Sequence, residues 1–325
     1  MNTGLSIRKI SYHLPSKIET NQQLEEHNKG WDVDKVAKKT GILQRYIAAE
    51  DETSLDLGYQ ACNKLFQEFG ISISEISGLL FVSQSPDYAL PSSSCILQER
   101  LQLNQDIIAL DINLGCSGFV NSLAVATSLI NSNMAANCLI VCAETYSKFI
   151  DEEDRTNKLI FSDAASACLV ERDYNLMSTI GKFSFGCDGR GANELIVKGS
   201  GCRDSLSPFD QRLFMNGPAI LLFTLSQVPV LLSRTLKINN LSLNDVDLFV
   251  FHQASSLVLQ LLAEKIGIEE SKMYSNLSMI GNTVSSSIPI ALKDAALNGK
   301  LKHNDLVLII GFGVGYSLGS TIIKW

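Results

Sequence analysis

A repeat limits this chain's fold more than any other feature. "SGLLFVSQSPD" from Ser77 is followed by a helix-like stretch, "LGCSGFVNSLAVATSLINS" from Leu114 and "ANCLIVCAET" from Ala136. The second half runs "VDLFVFHQASS" from Val246, a helix-like stretch, "IGNTVSSSIPIALKDAALNG" from Ile280 and "NDLVLIIGFGVG" from Asn304. Ser83 aligns with His252, Cys116 with Asn282 and Ala143 with Gly311, at offsets of 169, 166 and 168 residues. Near-constant offsets over three blocks point to two similar halves about a pseudo-twofold axis. Chance likeness between α/β units stays open as the alternative at this point.

Within each half, runs such as "ISGLLFVSQ", "DIIALDINL" and "NCLIVCAE" are short, apolar and β-branched, with helix-like stretches between them. That pattern predicts an α/β fold of parallel strands and crossover helices. The matched segments "CSGFVNSLAVATSLI" and "NTVSSSIPIALKDAAL" are small or apolar on nearly every side in their first turns. A helix without a polar face must be covered all round. Two such helices between two sheets give a five-layered α-β-α-β-α sandwich, with Cys116 and Asn282 at corresponding helix starts near its centre. The halves are taken as residues 1–172, with the cysteine, and 173–325, with the histidine and asparagine.

Composition narrows the classes. With 325 residues, 46% hydrophobic and 19% charged, the chain can bury a large core. The longest apolar stretch, "GPAILLFTLSQVPVLL" from Gly217, is interrupted by Ser226, Gln227 and Pro229; it reads as a buried helix, and no membrane span is expected. "MNTGLSIRKI" has neither a long apolar core nor a small-residue cleavage site. A cytoplasmic protein is expected, with its eight cysteines reduced. They form no CxxC pair, so a zinc site is not expected. A net charge of −7 argues against a nucleic-acid partner.

Free cysteine is usually an inert buried residue. Cys116 differs in its surroundings. Gly115 and Gly118 permit a tight strand-to-helix turn that presents a side chain at a corner. Unpaired N–H groups and the positive dipole end at a helix start favour thiolate, and thiols so placed fall from ~8.5 to roughly 3.5–7.5. The same N–H groups suit a developing oxyanion. Of four histidines, His13 and His303 sit in turn-like segments and His27 in a polar one. His252 closes the strand "VDLFVF", at the end where ligands of parallel sheets collect. Asn282 reads equally as a helix N-cap. "GFGVGYSLG" from Gly311 lacks the GxGxxG-then-helix pattern of a phosphate loop, and "YSLGSTIIKW" reads as a strand; a glycine turn approaching the reacting centre fits better.

In order and spacing, "GCSGF", "HQAS", "GNT" and "GFGVG" resemble the thiolase-superfamily condensing enzymes, most nearly β-ketoacyl-acyl-carrier-protein synthase III and its relatives. "KTGILQRYIA" (39–48), "PDYALPSSSCILQERL" (86–101), "DRTNKLIFSDAASACLV" (154–170) and "FMNGPAILLF" (214–223) extend the resemblance over nearly the whole chain. It implies the thiolase-like fold, with Cys116 as acyl-accepting nucleophile and His252 and Asn282 serving a decarboxylating malonyl thioester. It also implies an oxyanion hole from the Cys116 and Val314 N–H groups, with no cofactor. Lys39, Arg155, Gly217 and Ser255 then contact coenzyme A or the carrier, and Leu90, Met215 and Leu221 shape the acyl pocket. The implied partners are acyl-CoA, acyl carrier protein and a second copy of the chain, whose Leu90 enters the acyl pocket.

Departures from the family pattern cluster at the entrance. Leu257 replaces an arginine near the pantetheine mouth, Ser255 an asparagine after "HQA", Lys35 a tryptophan (Trp31 lies further upstream) and Leu90 an aromatic residue. A specialised relative, in secondary-metabolite or surface-polysaccharide acyl supply, is therefore expected. Lys35, Lys38, Lys39 and Arg45, with Arg155, are expected to form a basic docking patch, an ordinary solvated helix face being the alternative. An acyltransferase of the same fold that uses an amine or hydroxyl acceptor is the competing activity, and a carboxylate at position 282 would suit it better than asparagine. A non-catalytic partner subunit is the third reading.

Overall fold

A computed structural model describes residues 4–174, 179–203 and 208–325. The first sheet runs, in spatial order, Leu5–His13, Ala164–Arg172, Asn137–Glu144, Gly78–Val82 and Ile108–Ile112. Gly78–Val82 pairs in parallel with both neighbours. Helix-bearing connections impose this: Ser93–Arg100 leads to Ile108–Ile112, and Gly118–Asn131 to Asn137–Glu144. The remaining pairings, of Ala164–Arg172 with Asn137–Glu144 and with Leu5–His13, are antiparallel. The expectation of parallel strands thus holds at the centre of the sheet and fails at one side, where the connection after Glu144 contains only short 3-10 turns.

The second sheet repeats the plan. Leu248–Phe251 is parallel to Leu306–Gly313, which turns back through a hairpin into antiparallel Ser317–Lys324. Thr179–Ile180 and Ser184–Cys187 close the far edge. Where the first sheet has Ile108–Ile112, the second keeps only a parallel bridge between Phe249 and Met273.

Gly118–Asn131 and Ser287–Leu297 lie between the sheets, each touching strands of both. Gly118–Asn131 has no charged residue. Phe119, Leu123, Ile288 and Leu292 meet Val82 and Ile140 from one sheet and Val250 and Ile309 from the other in a single core. Each such buried side chain contributes roughly 1.5–3 kcal/mol. Ser54–Phe69 covers the outside of the first sheet, with Leu57 and Leu65 against Phe81 and Val141. Gly217–Ile238 and Ser256–Ile266 cover the second, with Val228, Leu232 and Leu262 against Phe249 and Ile310. The result is the five-layered α-β-α-β-α sandwich.

Gly217–Ile238 departs from its reading as a buried helix. Its inner ridge is packed, but Leu222 is 72% exposed and Val230 60%. By length and composition alone this helix is apolar enough to cross a membrane; its Val228–Leu232–Leu236 ridge instead belongs to the core of the second half.

Candidate active site

Cys116 stands two residues before Gly118–Asn131, in the turn that leaves the Ile108–Ile112 strand. The end of Leu306–Gly313 runs directly against this turn. A Cβ at Gly313 would lie 2.7 Å from Cys116 Cβ and 3.0 Å from its Sγ, and one at Gly311 would lie 2.8 Å from the Cys116 carbonyl oxygen. Glycine is required there because the backbone itself is the wall of the site. The glycine-rich segment is thus a close approach to Cys116, and Ser317–Lys324 after it is a strand.

Enclosure sets the state of the thiol. Burial, then the nearby Glu144 carboxylate, push the Cys116 thiol up to about 12. This overturns the expectation of a lowered value, because desolvation of a thiolate outweighs the favourable end of one helix.

His252 follows the Leu248–Phe251 strand, and its backbone N–H donates to the Ile310 carbonyl at 2.8 Å. Its Nδ1 lies 2.7 Å from Ser287 Oγ. Ser287 Oγ also accepts from the Gln253 backbone N–H at 3.5 Å. A Ser287 O–H donated to Nδ1 would place the imidazole proton on Nε2, the nitrogen left for the cavity. Burial drives the His252 pKa down to about 3, so the ring is neutral.

Asn282 is held by backbone hydrogen bonds to the first half. Its N–H donates to the Ile160 carbonyl at 3.0 Å, and its carbonyl accepts from Ser162 N–H at 2.9 Å. Its side-chain Oδ1 accepts from Val284 N–H at 3.0 Å, so the amide NH2 is the end available for chemistry. Asn282 does not cap Ser287–Leu297: Ser286 is the N-cap, and a 3-10 turn, Val284–Ser286, intervenes. Val284 has φ +53°, which is costly for a β-branched residue. This strained residue is the one whose N–H holds the Asn282 side chain.

Cys116, His252 and Asn282 line one cavity of about 530 Å³. Lys39, Gly217, Ser255, Met215, Leu221 and Val314 line it too, as do Lys35 and Leu257 at positions where the sequence departs from the family pattern. Arg155 does not: it is exposed, and its neighbour Thr156 supplies the lining. Leu90 is 83% exposed, away from the cavity of its own chain. Trp31 is buried against Leu24, Val33 and Leu159. Arg45 is no part of a surface patch. It is fully buried and donates to Asn21 Oδ1 at 2.6 Å, and burial lowers its pKa to about 10 despite Glu19 nearby.

Sequence reasoning missed the wall behind Cys116. Glu144 is fully buried and accepts O–H groups from Ser83, Ser85 and Ser285 at 3.4, 2.8 and 3.0 Å and the Gln84 N–H at 3.1 Å. Burial raises its pKa to about 7, against the opposing pull of those donors. Tyr146, also buried, donates its O–H to Gln84 Oε1 at 2.7 Å. The signal for Glu144 was its place at the end of "NCLIVCAE", an acid closing an apolar strand.

Known proteins share this architecture. A solved 3-oxoacyl-(acyl-carrier-protein) synthase III superposes with a TM-score of 0.96 at 37% identity, covering 99% of each chain. One from Burkholderia xenovorans LB400 gives 0.93 at 34%, covering 99% of this chain and 94% of its own. The β-ketoacyl-(acyl-carrier-protein) synthase III of Oceanobacillus iheyensis is 32% identical over 328 residues, which span 100% of this chain and 99% of the relative. The class is therefore that of the acyl-transferring condensing enzymes with a thiolase fold. Residues 110–189 match the family described as 3-oxoacyl-(acyl-carrier-protein) synthase III, and residues 236–325 match its C-terminal part. The chain belongs to that family.

Proposed function

We propose that the protein loads an acyl group from acyl-CoA or acyl carrier protein onto Cys116 and condenses it with a malonyl thioester. The observation that carries this reading is a pair of neutral N–H donors, His252 and Asn282, lining the same cavity as an enclosed thiol. Cys116 Sγ attacks the acyl thioester carbonyl while the Cys116 and Val314 N–H groups hold the oxyanion; the leaving thiolate takes up the proton that Sγ gives up. In the second substrate the bond to the malonyl carboxylate breaks, CO2 leaves, and the electron pair passes into an enolate. Nε2–H of His252 and the Asn282 amide stabilise its oxygen. The enolate carbon attacks the acyl carbonyl on Cys116, the C–S bond breaks, and the released thiolate takes a proton from solvent as the β-ketoacyl thioester leaves.

Acyl transfer to an amine or hydroxyl needs a base to deprotonate the acceptor. Among the described residues no aspartate or glutamate lines the main cavity, and a histidine depressed to about 3 is a weak base. Leu257, Ser255, Lys35 and Leu90 at the entrance and pocket support a specialised relative of the fatty-acid initiation enzyme, acting in the cytoplasm as a homodimer in which the partner's copy of the Leu90 loop closes the acyl pocket.

His252→Ala and Asn282→Ala separate the half-reactions. Mass spectrometry of the intact protein should show Cys116 still acylated, while β-ketoacyl product formation falls on the order of a hundredfold or more. Wild-type condensation rates in both variants would overturn the assignment.

A further inference from the structure

Beside the main cavity lies a chamber of about 200 Å³ that shares Tyr146, Leu195 and Val314 with it. At ~30 Å³ per water-sized group it holds about six heavy atoms. Apolar walls come from Phe149 and Leu213, as a hydrocarbon chain requires, but Gln84, Asn113, Tyr146 and Ser200 line it as well. The polar pair is close to the nucleophile: a Cβ on Gly115, the residue before Cys116, would lie 2.3 Å from Gln84 Oε1.

The hydrogen-bond capacity of these groups is unbalanced. Gln84 Oε1 is engaged by the Tyr146 O–H at 2.7 Å, and the Ser200 O–H is donated to the Val197 carbonyl at 2.8 Å. The Gln84 and Asn113 amide NH2 groups have no hydrogen-bond partner among the described residues, and the Tyr146 and Ser200 oxygens keep lone pairs. A plain alkyl chain would strip water from these groups and return nothing, a loss felt most at half-buried Gln84 and buried Tyr146, since Asn113 and Ser200 are exposed. A hydroxyl or carbonyl oxygen on the guest would meet the amide donors, and a hydroxyl could also donate to the phenol oxygen. A carboxylate is disfavoured, because Glu144 lies immediately behind and accepts the Gln84 backbone N–H at 3.1 Å.

We infer that this chamber selects short acyl groups bearing a neutral hydroxyl or oxo oxygen, held by the Gln84 and Asn113 amides and the Tyr146 phenol. The inference rests on Cys116 being the acyl acceptor and deepens that reading by naming the acyl class.

The test is the rate of Cys116 acylation, read by intact mass, with butyryl-CoA, 3-hydroxybutyryl-CoA, 4-hydroxybutyryl-CoA, acetoacetyl-CoA and succinyl-CoA. The wild type should load at least one hydroxy- or oxo-acyl group about fivefold or more faster than butyryl, and succinyl slowest. In Tyr146→Phe and Gln84→Met that ratio should fall to about one. Because both rates come from one preparation, partial misfolding cancels in the ratio. Preference for butyryl over all three oxygenated groups, or an unchanged ratio in both variants, overturns the chamber assignment. Condensation is read separately: loading with the expected preference but no β-ketoacyl product would sink the ketosynthase reading and leave the chamber standing. No loading of any ester on Cys116 would overturn both.

Discussion

Ser287 Oγ lies 2.7 Å from His252 Nδ1, and the two residues come from different secondary elements of the second half, a central helix and the end of a strand. In the proposed reaction the contact makes the serine a positioning residue, its O–H donated to Nδ1 so that the imidazole proton sits on Nε2. Ser287→Ala should lower condensation about ten- to a hundredfold, in the range of a weakened oxyanion donor. Nitrogen-15 spectra of the histidines check the cause: the variant should lose the pure Nε2–H tautomer of His252, and a wild-type spectrum with slowed condensation would refute the explanation.

Cys116 gives a pH prediction. A thiol pushed up to about 12 is almost wholly protonated at neutral pH. Alkylation by iodoacetamide requires thiolate, so its rate at Cys116 should climb about tenfold per pH unit from pH ~6 to ~9. Peptide mapping across that range settles the matter: a plateau below pH ~8 would mean that the resting site already stabilises thiolate.

Glu144 predicts an opposite trend in stability. Its folded value of about 7 exceeds the ordinary 4.5, so the folded protein holds this proton more tightly than the unfolded chain. The stabilisation is complete below 4.5 and is lost as pH rises through about 7. Glu144→Gln removes the titration. Relative to wild type, the variant's thermal midpoint should therefore improve steadily between pH ~5 and ~8, and a constant gap over that interval would refute the assignment.

How much of this could be read from the chain differs by region. The repeat predicted the strands around Ser83 and His252, both central helices, and the meeting of Cys116 with Asn282, because near-constant offsets survive folding. Covalent neighbourhood misled for Arg45. Its four-residue strand Gln44–Ile47 turns it inward towards Asn21, away from the lysines beside it in sequence. The thiol's state was misjudged for a similar reason: a helix start is visible in sequence, but the enclosing residues Tyr146, Phe161 and Val284 come from distant segments. Gln84 and Tyr146 were invisible as a pair, since 62 residues separate them.

With Arg45 buried, the expected docking patch is left with Arg155, exposed beside the cavity-lining Thr156, and the lysines of one helix. Val33–Thr40 carries Lys35 and Lys39, which line the cavity mouth, and Lys38, which is exposed beside them. In a chain of net charge −7, the proposed acidic carrier would have to dock through this local patch. Lys35→Glu with Lys39→Glu should slow acylation from carrier-bound substrate about tenfold at low salt, with the deficit shrinking as salt rises. A short N-acetylcysteamine thioester, which lacks carrier and phosphate, is the control substrate. An equal loss with both substrates would exclude electrostatic docking.

The backbone bonds from Asn282 to Ile160 and Ser162 have a mechanical consequence. In the proposed reaction residues 1–172 supply the nucleophile and residues 173–325 both enolate donors, so the site is complete only where the two halves meet. A substitution along that seam would therefore reach the chemistry without touching a reacting group.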